Sequence, residues 1–291
     1  MSGYSRTDLA CELPRQTQNS GTLYRKKEKN GFRIEEIKKA AQSGQNEEER
    51  YVTLHLGPIW EMDGQTTARA AETAAQVLLS FLPHRMRKSS RDSCVLVAGL
   101  GNRFITADSI GPRTVDLVNV TNHAAGEPTI PALLGCRRVC ALAPGVLGQT
   151  GMEAADLVAD AAAAAAAEAV IAVDALAARS TKRLGTTLQI SDTGIRPGSG
   201  IGNHRTALNR DTIGVPVIAM GVPTVVDTAT LLEDALSRAG IDEPDEQLEA
   251  VLREGRQYIV SPREADLIAS SVAELLAGAL NRALNPLLLQ A

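Results

Sequence analysis

The chain has 291 residues, of which 44% are hydrophobic and 22% charged, which is room for one or two folded domains and argues against wholesale disorder or a fibrous repeat. Thirty basic against thirty-four acidic residues leave a formal charge of −4, so no overall basic field exists to hold nucleic acid or an anionic membrane. Aromatics at 3% speak against base-stacking platforms, and Cys11, Cys94, Cys136 and Cys140 are too few and too scattered for a disulfide framework or a zinc site.

From Met1 to about Glu49 the sequence is polar, with mixed charge at Arg25, Lys26, Lys27, Glu28 and Lys29, and reads as an arm that adds little core. A first strand is expected at Tyr51 to Leu56, and a helix over Thr66 to Phe81, closed by Pro83. Short apolar runs follow at Cys94 to Ala98, Val139 to Leu142, Val170 to Val173 and Val215 to Met220. Each is apolar throughout rather than alternating, the pattern of parallel strands covered on both faces. Thr150 with Glu153 predicts a capping box for a helix through the alanine tract Ala161 to Ala167. Ser261, Pro262 and Glu264 predict the start of a last helix reaching about Leu284. No apolar run stands out as a membrane span. The expected fold is α/β: a three-layer, open, mostly parallel sheet with helices on both faces and an N-terminal arm.

In such sheets chemistry gathers at the carboxyl ends of the strands. Asp108 lies in the loop after the first parallel strand, and Asp174 directly follows Val170 to Val173. A carboxylate at the end of an apolar run is costly to desolvate unless it is paired, metal-bound or poised for proton transfer. Two neighbouring carboxylates share a proton and can act as an acid/base pair; against this stands a plain cap or ion pair with Arg179 or Lys182. Asp192-Thr193-Gly194 copies the tripeptide of pepsin-like and retroviral aspartic proteases, but those folds are all-β and need a second copy, so a turn with Gly194 at positive φ is expected. Asp192 still borders the cleft in this reading, since it follows Leu188 to Ile190. Gly99-Leu100-Gly101 has Phe104 where a dinucleotide fingerprint needs its third glycine, and Gly198-Ser199-Gly200-Ile201-Gly202-Asn203-His204 lacks the lysine of a phosphate-binding loop. The latter loop is instead suited to close backbone approach of an extended ligand. Serine, cysteine and zinc-peptidase arrangements are absent.

Several segments together resemble the germination protease (spore protease) family of endospore-forming bacteria. They include Arg6-Thr7-Asp8-Leu9-Ala10, Gly99-Leu100-Gly101-Asn102, Ala143-Pro144-Gly145-Val146, Val173-Asp174-Ala175-Leu176, Ile190-Ser191-Asp192-Thr193-Gly194 and Pro223-Thr224-Val225-Val226-Asp227. The resemblance implies an endopeptidase that cuts small acid-soluble spore proteins after glutamate, with Asp108 and Asp174 as the catalytic pair and no cofactor or required metal. It also implies a fold similar to the hydrogenase-maturation endopeptidases, a homotetramer, a cytoplasmic setting in the spore core, and no direct nucleic-acid or membrane partner. A self-processing zymogen is implied as well: residues 1–12 would be a candidate propeptide cut near Glu12 and Leu13, 13–49 the polar arm, and 50–291 the α/β peptidase domain. Candidate substrate contacts are Arg179, Arg183, Arg196 and Arg205, since a guanidinium grips a carboxylate with two hydrogen bonds, together with Asp192 and Ser199. The sequence departs from the family at Arg196, where histidine is often found, and in a shortened region around Gly240 to Gly255. Two other readings stand beside this one: a metal-dependent maturation-type protease using the same two aspartates as ligands, and a non-catalytic α/β ligand-binding module.

Overall fold

The alternation of apolar runs and helical stretches becomes a single sheet covered on two sides. A computed structural model describes residues 7–13, 22–40, 48–87, 93–124, 136–198, 205–241, 247–248, 250 and 258–285. Its strands are β1 (Thr22–Lys29), β2 (Phe32–Lys39), β3 (Glu49–His55), β4 (Cys94–Gly99), β5 (Arg138–Leu142), β6 (Ala169–Ala177), β7 (Thr187–Ser191), β8 (Val217–Asp227) and β9 (Ile259–Val260). Its α-helices are α1 (Gly64–Leu79), α2 (His84–Arg87), α3 (Ile110–Asp116), α4 (Leu147–Thr150), α5 (Ala154–Ala164), α6 (Arg210–Ile213), α7 (Thr228–Arg238) and α8 (Ala265–Leu284).

The strands lie in the order β1-β2-β3-β7-β8-β6-β4-β5, with β9 against β8. Strands β8, β6, β4 and β5 run parallel, and an antiparallel wing of β7, β3, β2 and β1 extends them. Side chains alternate across the parallel part as the period of two requires. Val95, Val97, Ile171 and Val173 face one side with α1, α3 and α8. Leu96, Ala98, Val170 and Ala172 face the other with α5 and α6. The small alanines of α5 let that helix lie close to the sheet.

The arm read over residues 13–49 does more than expected, because β1 and β2 join the sheet and Phe32, Ile34 and Ile37 are buried. At about 1.5–3 kcal/mol for each such side chain fully buried, this is a real share of the core. Charged residues interspersed on both faces of β2 mask its pattern, and the edge strand β1 is exposed along nearly its whole length, as a strand protected by lysines can be. Asn30 and Gly31, at φ 54° and 83°, form the two-residue turn between them. The strand expected first, at Tyr51 to Leu56, is thus the third.

Three helix starts also differ from expectation. Asp63 begins α1, its Oδ1 accepting the Thr66 N–H at 2.7 Å. The hydroxyl of Thr150 turns to the Val146 carbonyl, and Gly151, at φ 72°, separates α4 from α5, so the Thr150–Glu153 capping box does not form. Helix α8 starts after Glu264, later than the Ser261–Pro262 signal suggested. This helix is the one among the described residues long and apolar enough to cross a membrane, but it is largely buried inside the protein.

Candidate active site

The site forms where β6 outruns β4. Strand β4 ends at Gly99 beside Val173, whereas β6 continues to Ala177 along β8. Asp174, expected to end its strand, therefore lies inside it. Its side chain is only 5% exposed, and Oδ1 accepts the N–H of Ala175 at 2.8 Å.

Asp108 arrives from the loop after β4. The loop closes on itself at Gly101, whose φ is 109° and where a Cβ atom would stand 2.1 Å from the Asp108 carbonyl oxygen, so only glycine fits. The N–H of Asn102 then donates to Asp108 Oδ2 at 2.7 Å. Both aspartates line one cavity of about 540 Å³, at the carboxyl ends of the parallel strands where open α/β sheets bind ligands.

Burial pushes the Asp108 carboxyl above its ordinary range, against the opposing pull of the Asn102 N–H. Asp174 is raised well above that range, first by burial, then by the negative charge of Asp108, and further by Asp8. Burial and the neighbouring negative charges thus both favour the protonated form of Asp174.

A third carboxylate was missed as a site residue. Asp8 also lines the cavity, its Oδ2 accepting the Ala177 N–H at 2.8 Å. It stands on an N-terminal strap, residues 7–13, that docks on the end of β6 at Ala177 and on the middle of β7 at Gln189. Gln189 also lines the cavity and was overlooked; a buried amide between Leu188 and Ile190 was the available signal.

The remaining candidates divide. Arg196 and Arg205 line the cavity, and Arg205 Nη1 is 3.8 Å from Glu153 Oε1 across its rim. Arg183 is 3.9 Å from the strap residue Glu12, and the Arg179 backbone N–H donates to that same carboxylate at 2.7 Å. Glu12 is not among the groups lining the cavity, and Leu13 is 43% exposed. Asp192 is structural: Oδ1 accepts the Arg50 N–H at 2.8 Å, lengthening the β3–β7 ladder, while the adjacent Thr193 and Gly194 reach the cavity. Gly194 has φ 71°, the expected turn. Ser199 lies outside the described residues, as does the rest of the glycine loop through His204. Among the described residues no three His, Cys, Asp or Glu side chains come together as a metal-binding group.

The description "Germination protease" belongs to the family model that matches residues 7–239. The germination protease of Bacillus subtilis is 39% identical over 243 residues, covering 79% of this chain and 66% of the relative. The chain thus spans just under two thirds of that relative's length. The germination protease of Bacillus pumilus is 34% identical over 96% of this chain and 93% of its own. That of Caldanaerobacter subterraneus is 34% identical over 97% and 94%. Among solved structures, a nickel–iron hydrogenase maturation protease of Thermococcus kodakarensis matches 69% of this chain and 98% of its own, at 16% identity and a TM-score of 0.32.

Proposed function

The chain belongs to the germination protease family, and from that premise we propose that it is an endopeptidase whose acid/base pair is Asp174 and Asp108. The observation that carries the reading is the shared cavity, in which burial and the Asp108 charge both favour the protonated form of Asp174. Asp174 donates a hydrogen bond to the scissile carbonyl oxygen. Asp108 takes a proton from the attacking water, whose oxygen bonds to the carbonyl carbon. The carbonyl oxygen gains the Asp174 proton as the tetrahedral intermediate forms. Its collapse returns that proton to Asp174, while the proton on Asp108 passes to the leaving amine.

The substrate we propose is a small acid-soluble spore protein cut after glutamate in the spore core. Arg196 and Arg205 support that preference, since both line the cavity and the pairing of Arg205 with Glu153 is partly exposed. Self-processing and tetramer assembly belong to the same proposal. Because Glu12 is clasped away from the cavity, a cut near Glu12 and Leu13 requires the strap to leave or a second copy to act.

The test is to incubate the protein with a small acid-soluble spore protein and identify new N-termini by mass spectrometry. Cuts after glutamate that disappear in Asp174→Asn and Asp108→Asn are expected. Cleavage that persists at full rate in either variant removes that aspartate from the mechanism.

A further inference from the structure

The loop that carries Asp108 also presents a side-chain amide whose orientation is fixed. Asn102 lines the cavity, and its backbone N–H holds Asp108 Oδ2 at 2.7 Å. Two further donors hold its side chain. The backbone N–H of Phe104 donates to Asn102 Oδ1 at 3.0 Å, closing the turn that asparagine makes with the backbone two residues on. Gln149 Nε2, on α4, donates to the same oxygen at 2.7 Å. A backbone N–H can only donate, so the amide atom it meets is the oxygen, and two donors use both lone pairs of that oxygen. The planar amide is left with one orientation.

Gln149 is itself held in place. Its N–H donates to the Val146 carbonyl at 2.8 Å. At Gly145, where φ is 75°, an added Cβ would stand 3.3 Å from Gln149 Oε1, so the turn into α4 packs against the side chain that ties Asn102. Gly145, Val146 and Leu147 line the cavity as Asn102 does. The other half of the Asn102 amide is Nδ2. Among the described residues nothing accepts its two N–H groups, and a polar group left without a partner at a site calls for an explanation.

We propose that Asn102 is a further catalytic residue: Nδ2 donates to the oxygen of the scissile carbonyl, beside the Asp174 proton, with Gln149 as the residue that positions it. This rests on the aspartate-pair reading and deepens it by supplying a second donor. As the water oxygen bonds to the carbonyl carbon, negative charge gathers on the carbonyl oxygen, and a donor fixed beforehand stabilises that charge without reorganising. The amide keeps its own protons throughout; Asp174 remains the group that gives one and recovers it. Asn102 thus serves both halves of the reaction, its backbone N–H holding the base and its side chain the oxygen.

The experiment measures steady-state cleavage of a small acid-soluble spore protein across pH by the full chain and by its Asn102→Ser and Asn102→Asp variants. Each replacement still offers Phe104 an oxygen, keeps the backbone N–H on Asp108 and loses Nδ2. Both should lower kcat, read at each variant's own pH optimum, by about 10²-fold with KM little changed, the loss expected for one such donor. The acid limb of Asn102→Ser should stay in place, because Asp108 keeps its N–H partner. Unchanged kcat in either variant overturns the proposal, since loop closure alone then accounts for Asn102. A loss that comes with an acid limb moved to higher pH in Asn102→Ser overturns it too: that shift marks an Asp108 released from the Asn102 N–H, whose pull holds its pKa down. Gln149→Ala changes an exposed residue and leaves Nδ2 with a looser tie, so kcat should fall by a smaller factor at constant KM. It carries the test if the Asn102 variants do not fold, and unchanged kcat there then overturns the proposal. Full-rate cleavage by Asp174→Asn would sink the aspartate-pair reading; loss in that variant beside full kcat in Asn102→Ser would sink the Asn102 role alone.

Discussion

The carboxylates of Asp108 and Asp174 line one cavity, yet they are held by different means. Asp174 is enclosed in the middle of β6 with its neighbour's N–H as donor. Asp108 hangs on a loop whose closure depends on Gly101 and on the Asn102 N–H. Burial and the Asp108 charge both favour the protonated form of the strand member, from which the proposed mechanism takes its roles and its pH behaviour.

Asp174→Asn should abolish cleavage, with a loss of roughly 10²-fold or more for removal of a general acid, while raising stability at neutral pH. The folded-state pKa of Asp174 lies above the unfolded value of about 3.9. As pH rises from there through the folded-state value, the unfolded chain releases a proton that the native state retains. Native stability therefore falls across that window and stays lower above it. Asparagine removes this cost, so the variant should melt higher than the unaltered protein at pH 7, with the gap closing as pH approaches about 4. A lower melting temperature at pH 7 contradicts the burial argument.

The cleavage rate should be bell-shaped in pH. The proposed mechanism needs Asp108 ionised and Asp174 protonated, and burial raises both. The acid limb should therefore lie above the ordinary aspartate value of about 3.9, and the alkaline limb should mark loss of the Asp174 proton. The two midpoints belong to the coupled pair. A rate that keeps rising well into alkaline pH would count against a protonated carboxyl in the mechanism.

Gly101→Ala should cost about 1–3 kcal/mol through forced backbone strain and reduce activity beyond what the stability loss explains, because the added Cβ displaces the loop carrying Asp108. Gly31→Ala is the matched control. Gly31 also has a positive φ, of 83°, but no atom lies within 4 Å of its added Cβ, and it sits in the β1–β2 turn. It should lose stability and keep the pH profile of cleavage. Equal effects of the two changes on activity would mean that loop closure at Gly101 does not position Asp108.

Asp174 was conspicuous because a carboxylate directly after an apolar run is costly to desolvate, whereas Asp108, in a loop well past its strand, was joined to it only by the family resemblance; the structure brings both to one cavity. The parallel strands were legible because they are apolar on both faces. The wing was not, since the buried residues of β2 fall on both of its faces, Phe32 and Ile34 on one and Ile37 on the other, and the charges among them at Arg33, Glu35, Glu36 and Lys38 dominate any composition window. The end of β6 was misread for the opposite reason: Asp174 looked like a terminator, but Ala175, Leu176 and Ala177 continue the ladder with β8. Asp8 could not be placed from sequence at all. It is far from both partners along the chain, and only the docking of the strap on Ala177 and Gln189 brings it to the cavity.

The strap's hold should weaken in acid through His55. Arg183 Nη1 donates to His55 Nδ1 at 2.7 Å, a bond that requires an unprotonated Nδ1, and Arg183 is also the cation beside Glu12. Burial and the charges of Arg183 and Arg33 push the His55 pKa down, against the opposing pull of Glu35, whose Oε2 is 3.5 Å from Nε2. With the folded-state value below the unfolded one of about 6.5, the native contribution of neutral His55 is present above about 6.5 and lost as pH falls through the folded value. Hydrogen exchange at the amides of residues 8–12 should therefore speed up in acid relative to the rest of the sheet. His55→Gln still offers Arg183 an acceptor but does not titrate, so it should flatten this difference. Identical acid responses in the two proteins would separate strap docking from the protonation of His55.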